Sequence, residues 1–196
     1  MIDFEINHNQ INQICKNLSH VRNGVPLALK NAINNTAKEA RVLLLDQAQK
    51  AYAVKKGRFN KSATIKKATA YNLTAIINIK GSPMELKDFK VSPATVPKTF
   101  IKGKQTKAKV ISSNQMKSLE INGIKAFIVR FASGHVTVAQ RRGAERLPIK
   151  TLYSTSIPKM IGNEVKVYGI VAPKISTIYQ TEVQKAVEKL ASKYTG

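Results

Sequence analysis

Three histidines, one cysteine and eleven carboxylates are the residues of this 196-residue chain that could hold a metal or move a proton in catalysis. Their spacing assembles no such site. His8, His20 and His135 stand far apart, and none falls at a metal-ligand interval from Cys15 or from paired acids. The sequence has no lysine-tipped phosphate loop, no GxSxG nucleophile turn and no carboxylate pair at strand ends. Eleven dispersed acids are too few to build the clustered carboxylates of a two-metal nuclease. His135 follows Gly134 in a turn, where a hydrogen-bonding turn residue is the plainer reading than a general base. Cys15 stands alone, which excludes an internal disulfide and reads as a small buried residue rather than a reactive thiol. The chain is therefore expected to be no enzyme and to need no cofactor and no metal.

What it has in abundance is positive charge: 33 Lys or Arg against 11 Asp or Glu, a net charge of +22. The excess is uneven. Between Lys50 and Lys109 fifteen basic residues face two acids, Glu85 and Asp88, a balance of +13. Such a field attracts polyanions or acidic partners, and it is too large to serve solubility alone. Lysine dominates, aromatic residues make up 6% and Trp is absent. That composition points away from base stacking and toward phosphate-backbone attraction as the mode for any nucleic acid. The densest cluster is Lys98, Lys102, Lys104, Lys107 and Lys109, in a run from Ser92 that holds Gly103 and no acid. It reads as a long hairpin or loop that reaches a neighbour in an assembly or projects toward DNA. Five lysines there cannot form a core unless acids or phosphate meet them. A second cluster is Arg141, Arg142 and Arg146, whose guanidinium forks suit carboxylates at an interface, against the alternative of a solvated hairpin end.

The elements that hold these residues follow from periodicity. From Ile11 the apolar spacing of three and four fits a short helix, broken at Asn23-Gly24. Pro26 then opens a longer helix to about Ala51, with a stripe of Leu29, Ala32, Ile33, Thr36, Ala40, Leu43, Leu44 and Gln47. That stripe is expected to pack on a sheet. After the Lys55-Lys56-Gly57 turn, one helical turn is read at Phe59–Ala63, and strands are read at Thr64–Thr69, Leu73–Lys80 and Leu86–Val91. Val110-Ile111 and Leu119–Ile121 are read as short strands. Ala126–Phe131 and His135–Gln140 form a hairpin around Ala132-Ser133-Gly134, whose Gly takes the positive φ such a link needs. Pro148 takes the chain out of the sheet, and Leu147, Pro148, Ile149, Leu152 and Tyr153 are expected to pack that segment on the core. Pro158 suits a first helical turn, NEVKVYGIV leans to helix over strand, and Pro173–Tyr194 is an amphipathic helix.

The order Arg141-Arg142-Gly143, Arg146-Leu147-Pro148-Ile149-Lys150, Leu152-Tyr153, Ser156-Ile157-Pro158 resembles the prophage minor tail protein Z family, the tail-completion proteins of long-tailed bacteriophages. The Ala-rich helix, the Lys-Lys-Gly turn, the basic strands and Phe89-Lys90-Val91-Ser92-Pro93 agree in layout, so the likeness covers roughly residues 25 to 165. It implies a structural virion protein, assembled in the bacterial host cytoplasm. Such a protein completes the head-proximal end of a phage tail, or of a phage-like particle, for joining to a head. The partners so implied are the tail terminator, tail tube and neck proteins, and further copies of the chain in a homo-hexameric ring through which genomic DNA passes.

The residues alone give an α+β chain: a long N-terminal helix, an antiparallel β-sheet or small open barrel, and a C-terminal amphipathic helix. Its parts are an arm or short helix at 1–22, a core at 23–172 and the final helix at 173–196. A 43% hydrophobic content argues against wholesale disorder. No apolar run reaches the roughly 18 to 20 residues of a membrane span, and MIDFEINHNQ lacks the order of a signal peptide, so a soluble, unexported protein with no membrane partner is expected. The alternative to the tail reading is a basic protein that binds nucleic acid nonspecifically on its own.

Overall fold

The computed structural model describes residues 24–97 and 105–194. The helix expected from Ile11, together with His8, His20, Cys15, Lys98, Lys102 and Lys104, lies outside the described residues. The fold is α+β, and the described residues form helix α1 (Val25–Ala51), eleven short strands, a one-turn helix α2 (Ile157–Ile161) and helix α3 (Tyr168–Tyr194). These residues form two compact units, one of residues 24–47, 63–80 and 161–194, the other of residues 48–62 and 81–160.

In the first unit α1 and α3 run antiparallel. Asn35 Nδ2 donates to Glu182 Oε2 at 3.0 Å, and Gln47 Nε2 donates to the Lys166 carbonyl at 3.0 Å, so early α1 meets late α3. Val25, Leu29 and Ala32 bury against Val183, with Leu73, Tyr179, Ala186, Val187 and Leu190 packed around them. The stripe read from sequence is buried at Leu29, Ala32, Ile33, Thr36, Ala40 and Leu44, and burial also takes in Ala37, Leu45 and Ala48. Alanines at these positions let neighbouring backbone approach closely, and each fully buried Leu or Val contributes about 1.5–3 kcal/mol. Strands β1 (Ala63–Lys66) and β2 (Ile76–Ile79) pair antiparallel from Ala63↔Ile79 to Lys66↔Ile76. They are shorter than expected. Residues 67–75 leave the ladder because Asn34 captures Ala68 at both ends, its Nδ2 donating to the Ala68 carbonyl at 3.1 Å and its Oδ1 accepting from the Ala68 N–H at 2.8 Å.

The C-terminal helix begins at Tyr168, so Pro173 lies inside it rather than at its start. The winding is set up earlier, by an N-cap: Asn163 Oδ1 accepts the Lys166 N–H at 2.9 Å, and the Asn163 carbonyl accepts from Val167 and Tyr168. Pro173 then withholds only the single donor that would have met Gly169. Gly169 is needed for a different reason, since a Cβ there would stand 2.4 Å from the Glu164 carbonyl oxygen.

In the second unit β9 (Val136–Arg141) is central. It pairs antiparallel with β8 (Ile124–Arg130) from Ala126↔Gln140 to Arg130↔Val136, and with β10 (Ile149–Thr151) on its other edge. Thr137 through Gln140 are buried in succession, so both faces of β9 are covered and period-two alternation is lost. The link to β8 is as expected: Gly134 has φ 80°, its N–H donates to the Phe131 carbonyl, and Phe131 N–H donates to that of His135. Strand β7 (Glu120–Ile121) turns into β8 through Asn122 and Gly123, both at positive φ, the two-residue hairpin turn that Asn-Gly favours.

Several expectations are corrected here. Leu86–Val91 is not one strand. Strand β3 (Pro83–Glu85) pairs with β11 (Tyr153–Ser156), Leu86–Asp88 makes a 3-10 turn that buries Leu86 and Phe89, and only Lys90–Ser92 continues, as β4. Val110-Ile111 is not a strand; pairing falls three residues earlier in β5 (Lys107–Lys109), while Ile111 only bridges Tyr52. Phe59–Ala63 is not helix: residues 59–62 form a hydrogen-bonded turn, closed by Ser62 N–H on the Phe59 carbonyl, and Ala63 already begins β1. Leu147 and Tyr153 do not pack on the core, being 68% and 59% exposed, and Pro148 is exposed with them. Backbone holds that segment instead, through the β10 ladder and through Leu152, whose N–H donates to the Val138 carbonyl. Ile149 and Leu152 are half-buried.

The Gly169 geometry yields a test. Gly169→Ala forces the Glu164–Gly169 turn apart and should cost about 1–3 kcal/mol. In a chain of this size that lowers Tm by roughly 2–10 °C, as read by thermal melting, whereas Gly143→Ala, with open space at its Cβ, should leave Tm unchanged.

Candidate interaction surface

Strands β4, β5 and β6 (Lys117–Ser118) form a three-stranded antiparallel sheet. Its register sets Lys90 directly opposite Lys109, and Ser92 opposite Lys107. Directly opposed residues share a face, so Lys90, Lys107 and Lys109 stand together while Ala108 is buried on the other side. Like charges in that arrangement repel, at a cost of the order of 0.2–1 kcal/mol per pair. Lys109 relieves part of it by donating Nζ to the Ser112 carbonyl at 2.6 Å. Among the described residues no carboxylate pairs with any of the three.

The two acids of the basic stretch are already engaged elsewhere. Arg58 Nη2 meets Asp88 Oδ1 at 2.6 Å, and the Asp88 side chain is 13% exposed. Glu85 Oε2 accepts the Thr137 hydroxyl at 2.6 Å, with Lys87 Nζ at 3.3 Å and His135 Nε2 at 3.2 Å. Burial pushes the Glu85 carboxyl up, but the Thr137 and Lys87 hydrogen bonds and the Lys87 and His135 charges outweigh it and hold the group below its ordinary 4.5. His135, stacked on Phe131 at 6.2 Å, is thus a turn residue tied to a carboxylate, as its place after Gly134 suggested. Both local acids are consumed, and the lysine face stays uncompensated from within.

The arginine cluster divides. Arg141 is half-buried with its guanidinium 6.0 Å from the Phe127 ring centroid, a cation–π contact worth about 0.5–1 kcal/mol. Arg142 and Arg146 are exposed, and among the described residues neither has an ion pair. Exposed Leu147 and Tyr153 follow within the next eleven residues, so this stretch of sequence offers Arg, Leu and Tyr to solvent, residue types that suit an interface core. Of the eight basic residues singled out in sequence, Lys107, Lys109, Arg141, Arg142 and Arg146 are therefore placed, the lysines on one sheet and the arginines on or beside another within one unit. Lys90 was missed. Its signal was the alternation Lys90-Val91-Ser92 facing Lys107-Ala108-Lys109, which becomes legible only once the two segments are paired across the loop. No group of three His, Cys, Asp or Glu that could hold a metal occurs among the described residues, and no described helix is long and apolar enough to cross a membrane.

The Glu85 cluster fixes a pH dependence. A carboxyl whose folded pKa is depressed stabilises fully above its unfolded value, near 4.5, and loses that contribution as pH falls through the folded value. Glu85→Gln should lower Tm at pH 7, and the gap to the native chain should narrow as pH falls below 4.5 toward the depressed folded value. A gap that persists at low pH would mean that packing, not charge, holds β3 to the hairpin.

The family described as prophage minor tail protein Z matches residues 10–194, nearly the whole chain. Neither a curated protein nor a solved structure matches it. The match extends well beyond the Arg-Arg-Gly to Ser-Ile-Pro string, into both long helices and the lysine-bearing sheet. The chain belongs to the prophage minor tail protein Z family and is a structural protein of the phage tail.

Proposed function

We propose that this tail protein is a completion subunit, seated at the head-proximal end of the tail as a homo-hexameric ring and making the tail competent for joining to a head. The observation that carries the reading is the lysine face of β4 and β5: Lys90, Lys107 and Lys109 sit together while Glu85 and Asp88 are occupied elsewhere. A surface that is unfavourable in the free subunit gains when opposite charge arrives from outside. The occupant is an acidic face of a neighbouring tail component, among them the terminator, tube and neck proteins. A tight lysine grip on DNA would slow its passage through the lumen. Lys98, Lys102 and Lys104 fall in sequence between the same two strands. Arg142, Arg146, Leu147 and Tyr153 supply a second contact, to an adjacent subunit or partner, by the Arg and aromatic chemistry that interface cores favour.

Changing Lys90, Lys107 and Lys109 to Gln should leave the subunit's Tm unchanged or raise it by a few degrees, since a like-charge pair of about 0.2–1 kcal/mol is removed. Attachment of the protein to tails, measured by immunoblot of purified particles, should fall, and DNA release from the remaining particles should keep its rate. Normal attachment with altered DNA release would place these lysines on the lumen instead. Steep salt-dependent binding of the isolated subunit to ordinary duplex would favour a free nucleic-acid binder.

Arg142→Ala with Arg146→Ala should spare Tm and reduce incorporation into tails. Arg141→Ala, which loses the Phe127 contact, should lower Tm by about 1–4 °C. Incorporation unaffected by the Arg142 and Arg146 changes would reduce that stretch to a solvated hairpin end.

A further inference from the structure

The first unit carries a cleft of about 810 Å³ between early α1, late α3 and the loop at Lys67-Ala68. Its floor is apolar, with Leu27, Ala28 and Leu190, and Leu27 is 52% exposed in the subunit. Its walls carry Lys30, Lys38, Lys67, Lys185 and Lys189. The one acid on the lining, Glu182, is engaged by Asn35 Nδ2 at 3.0 Å and by Lys185 Nζ at 3.0 Å. The cleft is pre-formed, because Asn34 clamps Ala68 and Asn35 clamps α3. An occupant must therefore bring apolar side chains for the floor and carboxylates for the walls. Phosphate alone leaves Leu27 and Leu190 unused, and the lining offers no aromatic ring on which a base could stack.

The chain itself contains a segment of that chemistry. Residues 1–15 are its longest run without Lys or Arg, and the only such run with two acids. Asp3 and Glu5 alternate there with Ile2, Phe4 and Ile6. Copies of a chain with net charge +22 repel one another at long range. A head-to-tail ring needs two different complementary surfaces on every subunit, and this segment is the place where the sequence supplies the negative one.

We propose that the cleft receives residues 1–6 of a second copy of the chain, Ile2, Phe4 and Ile6 covering the Leu27 and Leu190 floor and Asp3 and Glu5 meeting the wall lysines. This rests on the ring reading above and names the contact that closes it. It also sets the salt behaviour of the ring, since a contact built on lysine and carboxylate weakens as screening rises.

The test uses full-length chains with exchanged charges. One variant carries Asp3→Lys and Glu5→Lys, the other Lys30→Glu and Lys189→Glu, and association is followed by sedimentation velocity across concentration. The native chain should associate, and each variant alone should need about tenfold higher concentration or more. An equal mixture of the two should recover native association, because each then offers the other a matched arm and cleft. A native chain that stays monomeric, or a mixture that shows no recovery, overturns the inter-copy contact; association that ignores both exchanges overturns it while leaving a ring intact. Exchange-sensitive association that stops at dimers keeps the contact and removes the ring. If a reversed variant fails to fold by thermal melting, the neutral changes Asp3→Asn with Glu5→Gln and Lys30→Gln with Lys189→Gln read the same contact. Each should then weaken association, and no weakening in either counts against it.

Discussion

Thirty-three basic side chains against eleven acidic ones impose the constraint that the rest of the structure answers to. Net self-repulsion works against a compact state, so cohesion has to come from apolar burial and backbone pairing. Two places provide it. One is the antiparallel packing of α1 on α3, where Leu29, Ala32 and Val183 meet. The other is β9, covered on both faces from Thr137 to Gln140. The lysines are kept on exposed strand faces and helix flanks, where water screens them, and the interior takes almost no charge.

Three of the carboxylates are positioned as local fastenings. Glu85 joins the 3-10 turn to the β8–β9 hairpin through Thr137, Lys87 and His135; Asp88 holds Arg58; Glu182 joins α3 to α1 through Asn35. Each is engaged inside its own unit. What remains outward carries a large excess of basic over acidic side chains, with apolar points at Leu27, Leu147 and Tyr153. That is the surface of a protein built to be completed by others, and it agrees with a family whose members are parts of a tail.

A tail component needs shape and charge at defined places more than it needs chemistry. Lys90 and Lys109 opposed across a ladder are unfavourable in the free subunit and favourable beside a carboxylate-rich neighbour. The same logic applies to a cleft walled by lysine in a chain whose acid-rich segment lies at residues 1–15.

The sequence by itself determined the class, the two long helices, the Gly134 hairpin and the charge excess, because each is a local property. Apolar spacing, a positive-φ glycine and a lysine count do not depend on what lies across the fold. The family, too, was legible in the string from Arg141 to Pro158. Tertiary structure decided the pairing. Leu86–Val91 has strand composition, yet Phe89 turns inward and splits it, because β3 finds β11 some seventy residues away. Pro173 read as a helix start, yet the Asn163 cap and the close approach at Gly169 begin the winding sooner. Leu147 and Tyr153 read as core and are exposed, because backbone bonds to β9 and β3 already hold their segment. The lysine face depended on tertiary structure most of all: Lys90 and Lys109 are nineteen residues apart, and only an antiparallel register, set by the burial of Ala108, brings their charges together.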